Sequence, residues 1–295
     1  YVNRLWQMHF GTGLVSSSDD FGNQGNLPSH PELLDWLAIK FMESGWDIKA
    51  MNKFIVMSAT YQQSSKLTPE LLERDKENAL LARGPSFRMT AEMVRDNALA
   101  ISGLLSPKIG GPSVYPYQPE GLWDEISNKP WRYKYLQEPG EGLYRRSLYT
   151  IWKRTSGPPS MLIFDVGERG VCTVKRRQTS TPLQALALLN DPQYLEASRA
   201  LGENLIADYR GDVDAQLQKA FIMCTGRNPN DTELGVLSKF HKEELQRFSK
   251  AKEDAIAYTS IGSSKVRAST DPVMLAALAT VINGMMNTYE GYTIR

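Results

Sequence analysis

Apolar residues return at helical spacing along most of this chain, and each stretch is preceded by a polar residue suited to start a helix. Leu33, Leu34, Leu37 and Phe41 fall on one face between Ser29, paired with Glu32 as a capping box, and Gly45. Asp47 can cap the next helix, whose inner face carries Ile48, Met51, Phe54, Ile55 and Tyr61. Thr68-Pro69, Thr181-Pro182, Asp191-Pro192 and Asp271-Pro272 each set a capping side chain before a proline suited to the first helical position. Val94, Ala98, Ile101 and Leu105 make a further stripe. Asp212 opens a helix with Leu217, Ala220 and Phe221, and Asn230 with Glu233 starts one lined by Leu234, Leu237, Phe240, Leu245 and Phe248.

Two regions break this rhythm. Residues 106–142 are rich in Pro, Gly, Tyr and Trp (Gly110-Gly111-Pro112, Tyr115-Pro116-Tyr117, Trp131-Arg132-Tyr133), which forbids long helices and predicts an ordered, aromatic-packed loop. Residues 249–270 are polar and poor in large apolar side chains, and read as an exposed loop. Leu143 to Lys153, rich in Tyr, Thr, Ile and Trp, is the best strand candidate. The expected fold is therefore mainly α: a single irregular multi-helix domain over residues 1–295, with a long loop region and at most a small β element.

Composition narrows the functional classes. With 41% hydrophobic and 23% charged residues the chain has the make-up of a globular domain, not of a disordered one. A net charge of +1 gives no electrostatic case for nucleic acid or an anionic membrane as default partner. The apolar run Val273 to Met286 contains Thr280, Asn283 and Gly284 and falls short of the ~18 residues of a spanning helix, so it reads as a core helix and no membrane span is expected. Cys172 and Cys224 are too few and too far apart for a zinc ribbon, a redox CxxC or a haem-attachment site, and two reduced thiols are expected in preference to a disulfide. The chain opens in Tyr1-Val2-Asn3-Arg4 with neither an initiator Met nor a cap, as expected of a piece of a longer protein.

Candidate chemistry is concentrated in two polar stretches. Phe164 to Gln184 offers the carboxylates Asp165 and Glu168, the thiol Cys172, and the cations Arg169, Lys175, Arg176 and Arg177, directly before the helix start at Thr181. Helix N-termini favour anions, and arginine can clamp a carboxylate, sulfate or phosphate through two bonds. The same arginines could instead pair with Asp165 and Glu168 as an internal strut, and the sequence leaves the two readings open. Ser16 to Asn26, with Asp19 and Asp20, is a second polar loop, either functional or a turn built on side-chain to backbone bonds. His9, His30 and His241 show no metal-ligand spacing, so no metal is expected; His241, among Lys242, Glu243 and Glu244, reads as solvated, and His30 as part of a helix start.

Several of these residues carry a resemblance. Asn3-Arg4-Leu5-Trp6-Gln7, His9-Phe10-Gly11, Asp20-Phe21-Gly22 and Pro28-Ser29-His30-Pro31-Glu32-Leu33-Leu34-Asp35-Trp36-Leu37 resemble the PSD-one domain of planctomycete-type cytochrome-c-domain proteins. Tyr144-Arg145-Arg146-Ser147, Trp152-Lys153-Arg154, Phe164-Asp165, Glu168-Arg169, Cys172-Thr173-Val174 and Thr181-Pro182-Leu183-Gln184-Ala185-Leu186 with Leu189-Asn190-Asp191 continue it over nearly the whole chain. Met8 and Gly170 depart from the pattern, the first standing where a second histidine often precedes His9. The resemblance implies an uncharacterised C-terminal module of an exported bacterial multidomain protein, periplasmic or at the cell surface, whose haem c belongs to a preceding module; no cofactor is expected in this chain. Its expected partners are other domains of the same parent and an anionic ligand bound through Arg169, Arg176, Arg177 and Thr181. The alternatives are a hydrolase or oxidoreductase acting on complex polysaccharide, with catalytic candidates Asp165, Glu168, Asp20 and His30, or a cell-surface scaffold.

Overall fold

The computed structural model describes residues 1–125, 134–153, 156–167 and 170–295. Glu168, Arg169, Arg154 and the Trp131-Arg132-Tyr133 run of the expected loop lie outside them. The chain divides into two compact units.

The first unit comprises 1–88 with 172–176 and 293–295. It holds α1 (Val2–Phe10), α2 (Pro31–Glu43), α3 (Ile48–Val56) and α4 (Pro69–Arg74), and its core is Val2, Leu5, Trp6, Leu14, Leu37, Phe41, Met51 and Ile55. Asp47 caps α3 by accepting from the Ala50 N–H at 3.0 Å, and Thr68 caps α4 by accepting from Leu71. The capping box at Ser29 is not formed. His30 occupies the N-cap position of α2, while Ser29 donates its N–H to the Leu14 carbonyl at 2.8 Å and so ties the preceding loop down. A two-residue antiparallel pair, β1 (Phe87–Arg88) with β2 (Thr293–Ile294), closes the unit in the register Phe87 to Ile294 and Arg88 to Thr293.

The second unit comprises 89–171 and 177–292. It contains α5 (Ala91–Ile101), α6 (Leu122–Glu125), α7 (Pro159–Ile163), α8 (Pro182–Asn190), α9 (Pro192–Asp208), α10 (Val213–Thr225), α11 (Asp231–Lys250), α12 (Lys252–Thr259) and α13 (Pro272–Met286). Helix α13 is apolar nearly all round, as a helix surrounded by others must be, and its Thr280 and Asn283 side chains donate to the Ala276 and Leu188 carbonyls. Leu275, Ala276, Ala277, Leu278, Ala279 and Ile282 are fully buried, with α8 to α12 packed around them. Asp191, Asp212, Asn230 and Asp271 cap α9, α10, α11 and α13 as their positions predict.

Three expectations are corrected here. Leu143 to Lys153 is not a strand: 3-10 turns occupy Gly140–Tyr144 and Ser147–Tyr149, and among the described residues its backbone makes only isolated bridges, Ser106 to Arg145, Val114 to Thr150 and Lys153 to Ser156. Buried side chains claim this segment, as described below. Within 249–270, α11 runs on to Lys250 and α12 follows from Lys252, because Ala255 and Thr259 are buried small residues that let a polar helix dock on α13. His241 is buried, not solvated, at 5% exposure, and desolvation holds its imidazole below the ordinary histidine value.

The described part of 106–142 is an ordered aromatic loop. Tyr115, Trp123 and Tyr135 meet edge to face with centroids 5.1–6.3 Å apart, and the Tyr135 hydroxyl donates to the Pro116 carbonyl.

Candidate functional site

Asp165 follows α7 in a left-handed conformation, φ 58°, which aspartate tolerates better than most residues. Phe164 and Val166 on either side are buried. That turn aims the carboxylate at Thr179, whose N–H donates to it at 2.8 Å and whose hydroxyl lies 2.8 and 3.0 Å from its two oxygens. The buried Gln184 amide donates in turn to the Ile163 carbonyl at 3.0 Å and to the Thr179 hydroxyl at 3.2 Å, and its oxygen accepts from the Thr181 N–H at 3.4 Å. Asp165, Thr179 and Gln184 thus form a clasp that joins the end of α7 to the start of α8. Such a carboxylate organises backbone.

Arg177 lies within the exposed run 170–180, two residues before Thr179, and Thr181 is half-buried at the head of α8. Arg176 and Cys172 are exposed as well, and Cys172 is a free thiol. Asp20, in the first unit, accepts from the Gly22 N–H at 2.7 Å, and Ser17 bonds the Asp20 carbonyl and the Asn26 N–H. Buried Asn3 clasps Val15 through both its amide groups, at 2.8 and 3.0 Å. His30 Nδ1 meets the Ser29 hydroxyl at 3.0 Å, and Asp19 is exposed. The polar groups of this loop are therefore largely satisfied among themselves.

A dense polar cluster of the second unit escaped the sequence reading. Glu196, 1% exposed on α9, accepts from the Tyr117 and Tyr144 hydroxyls, each at 2.8 Å, and from the N–H groups of Ser263 at 2.8 Å and Ser264 at 2.6 Å. Burial, and hydrogen bonding to Glu196, push both phenols above the ordinary tyrosine value, so both stay protonated donors. Arg199, one turn on and equally buried, stands 3.6 Å from Glu196 and donates to Ser264. Glu203, a further turn along, accepts from the Arg267 N–H. This stripe binds the 263–267 loop to α9.

Arginines do the same for the segment that is not a strand. Arg95, 2% exposed, donates to Gln193, to the Leu143 carbonyl at 2.6 Å and to the Arg145 carbonyl at 2.7 Å. Asp96 accepts from the Ser147 N–H and hydroxyl. Arg145 is wrapped by the carbonyls of Lys108, Gly110 and Pro112 and lies 3.8 Å over the Tyr149 ring. In Tyr144-Arg145-Arg146-Ser147 only Arg146 is exposed, Tyr144 being half-buried.

Among the described residues no cluster of His, Cys, Asp and Glu could hold a metal ion, and no helix is long and apolar enough to cross a membrane. A shallow pocket at the start of α13 is lined by Lys252, Ile256 and residues 268–273, with Asp271 engaged in capping.

The family model described as PSD1, protein of unknown function (DUF1553), matches residues 1–241. No curated protein and no solved structure matches the chain.

Proposed function

The chain belongs to the PSD1 family, and from that premise we propose that it is a helical, non-catalytic module that binds an anionic ligand through Arg177 and the entry to α8, within an exported multidomain protein that carries its haem c elsewhere. One observation carries the reading. Arg177 stands exposed in a stretch, 170–180, that contains no acidic residue. Thr179 and Gln184 hold the end of that stretch against α7 and α8, so the cation is displayed from a fixed anchor. An arginine so displayed offers two parallel donors to a sulfate, carboxylate or phosphate oxygen pair.

The export and the cytochrome association rest on the resemblance of the motifs and are tested by fractionating cells that express the parent and staining the envelope fraction for covalently held haem. The ligand reading is tested by titrating the chain with dextran sulfate. Arg177→Ala should weaken binding by roughly tenfold, the effect of one charge-assisted contact, while the melting temperature is unchanged. A variant that binds as tightly as the parent, or that melts well below it, refutes the assignment. Binding should also weaken as salt is raised, since an exposed charge is screened over ~10 Å at 0.1 M.

A further inference from the structure

We propose that the exposed face of α2 and α3 in the first unit pairs with the same face of a second copy of this chain. Isolated exposed apolar residues are normal on protein surfaces, whereas contiguous apolar patches mark interaction sites. Trp36 and Ile39 on α2, Phe54 on α3 and Met57 just past its end are 46, 51, 44 and 64% exposed, although the opposite faces of the same helices fill the core with Leu37, Phe41, Met51 and Ile55. The Trp36 and Phe54 rings meet with centroids 5.4 Å apart, which makes the two helices' apolar residues one seam. Aromatic anchors of this kind dominate interface energetics.

The charges on either side of the seam select the occupant. On α2, Lys40 is paired with Glu43 at 3.6 Å, leaving Glu32 and Asp35. On α3, Asp47 is engaged as the cap, leaving Lys49 and Lys53. All four are exposed, and none forms an ion pair among the described residues. The surface therefore runs from acidic on α2, through the apolar seam, to basic on α3. A two-fold axis through the seam lays the acidic side of each copy on the basic side of the other, and the contact is satisfied twice by one set of residues, as an isologous interface requires. A partner bearing a single sign of charge would be repelled by half of this surface.

Sedimentation velocity on the full chain over a wide concentration range reads the outcome. The unaltered chain should shift to twice its monomer mass as concentration rises, and Ile39→Asp should remain monomeric; Met57→Asp serves the same purpose if the first variant does not fold. Lys49→Glu with Lys53→Glu makes one face wholly acidic, and Glu32→Lys with Asp35→Lys makes the other wholly basic. Each double variant alone should dimerise roughly tenfold or more weakly, and an equimolar mixture of the two should recover a dimer as tight as that of the unaltered chain. A chain that stays monomeric throughout, charge variants that dimerise unchanged, or a mixture that fails to recover would each overturn the proposal.

Discussion

Replacing Glu196 with Ala removes the acceptor of four hydrogen bonds at a site 1% exposed, two from phenols and two from the backbone of Ser263 and Ser264, and withdraws the countercharge of buried Arg199. Breaking a buried ion pair by deleting one partner costs about 3–5 kcal/mol, and an orphaned buried donor about 1–3 kcal/mol. For a unit of this size each kcal/mol moves the melting point by about 2–4 °C, so a fall on the order of 10 °C is expected by circular dichroism. Glu196→Gln keeps one acceptor oxygen and the packing volume, and should fall between the two. Amide exchange supplies a local readout: in Glu196→Ala the 260–267 loop should exchange faster, while α13 keeps its protection. A melting point within a degree of the parent would show that the network is solvated and refute the buried-strut account of the α9 stripe.

Gly262 sits at φ 96°, where an added Cβ would stand 2.4 Å from the Glu196 carboxyl carbon, so Gly262→Ala should loosen the same loop and cost about 1–3 kcal/mol, read by urea unfolding. Thiol titration of the native chain should modify Cys172 and spare Cys224, whose thiol burial pushes up to about 12; both should react in denaturant, and rapid native reaction of two thiols would contradict the packing of α10. Arg227 and the Asn230 N–H hold Glu233 down to about 2, so this carboxylate adds stability that is complete above about pH 4.5 and is lost as the pH falls toward 2. Because both partners remain partly exposed to solvent, Glu233→Gln should flatten the acid limb of the melting curve by less than about 1 kcal/mol. His241 titrates lower folded than unfolded, so its contribution is present above about pH 6.5 and is lost as the pH falls below it; His241→Gln should reduce that pH dependence.

Helix starts were legible because capping is local chemistry: Asp47, Thr68, Asp191, Asp212, Asn230 and Asp271 each bond a backbone N–H two or three residues on. Helix α13 was legible as a core helix because its apolar run is too short to span a membrane and is interrupted by Thr280, Asn283 and Gly284. Tertiary demands hid the rest. The β-prone composition of 143–153 was overridden by Arg95 and Asp96, which lie some fifty positions away in sequence and take up the backbone groups that a sheet would need. Glu196, Arg199 and Glu203 have the spacing of a solvated helix stripe; their small neighbours Ala197, Ser198, Ala200 and Gly202 were the available signal that this face is packed. His241 failed in the same way, as charged neighbours along the chain say little about what lies across α11. Asp165 was read as a catalytic candidate or a partner of the arginines, and its contact with Thr179 is one that a search for oppositely charged pairs passes over.

On the proposed reading the polar signature is scaffold and ligand contact belongs to the cationic approach to α8. Hydrogen–deuterium exchange of the full chain, with and without dextran sulfate at low salt, tests it most directly. Protection confined to residues 170–184 is the predicted result; protection over 16–30 or 260–267, or none anywhere, would contradict it.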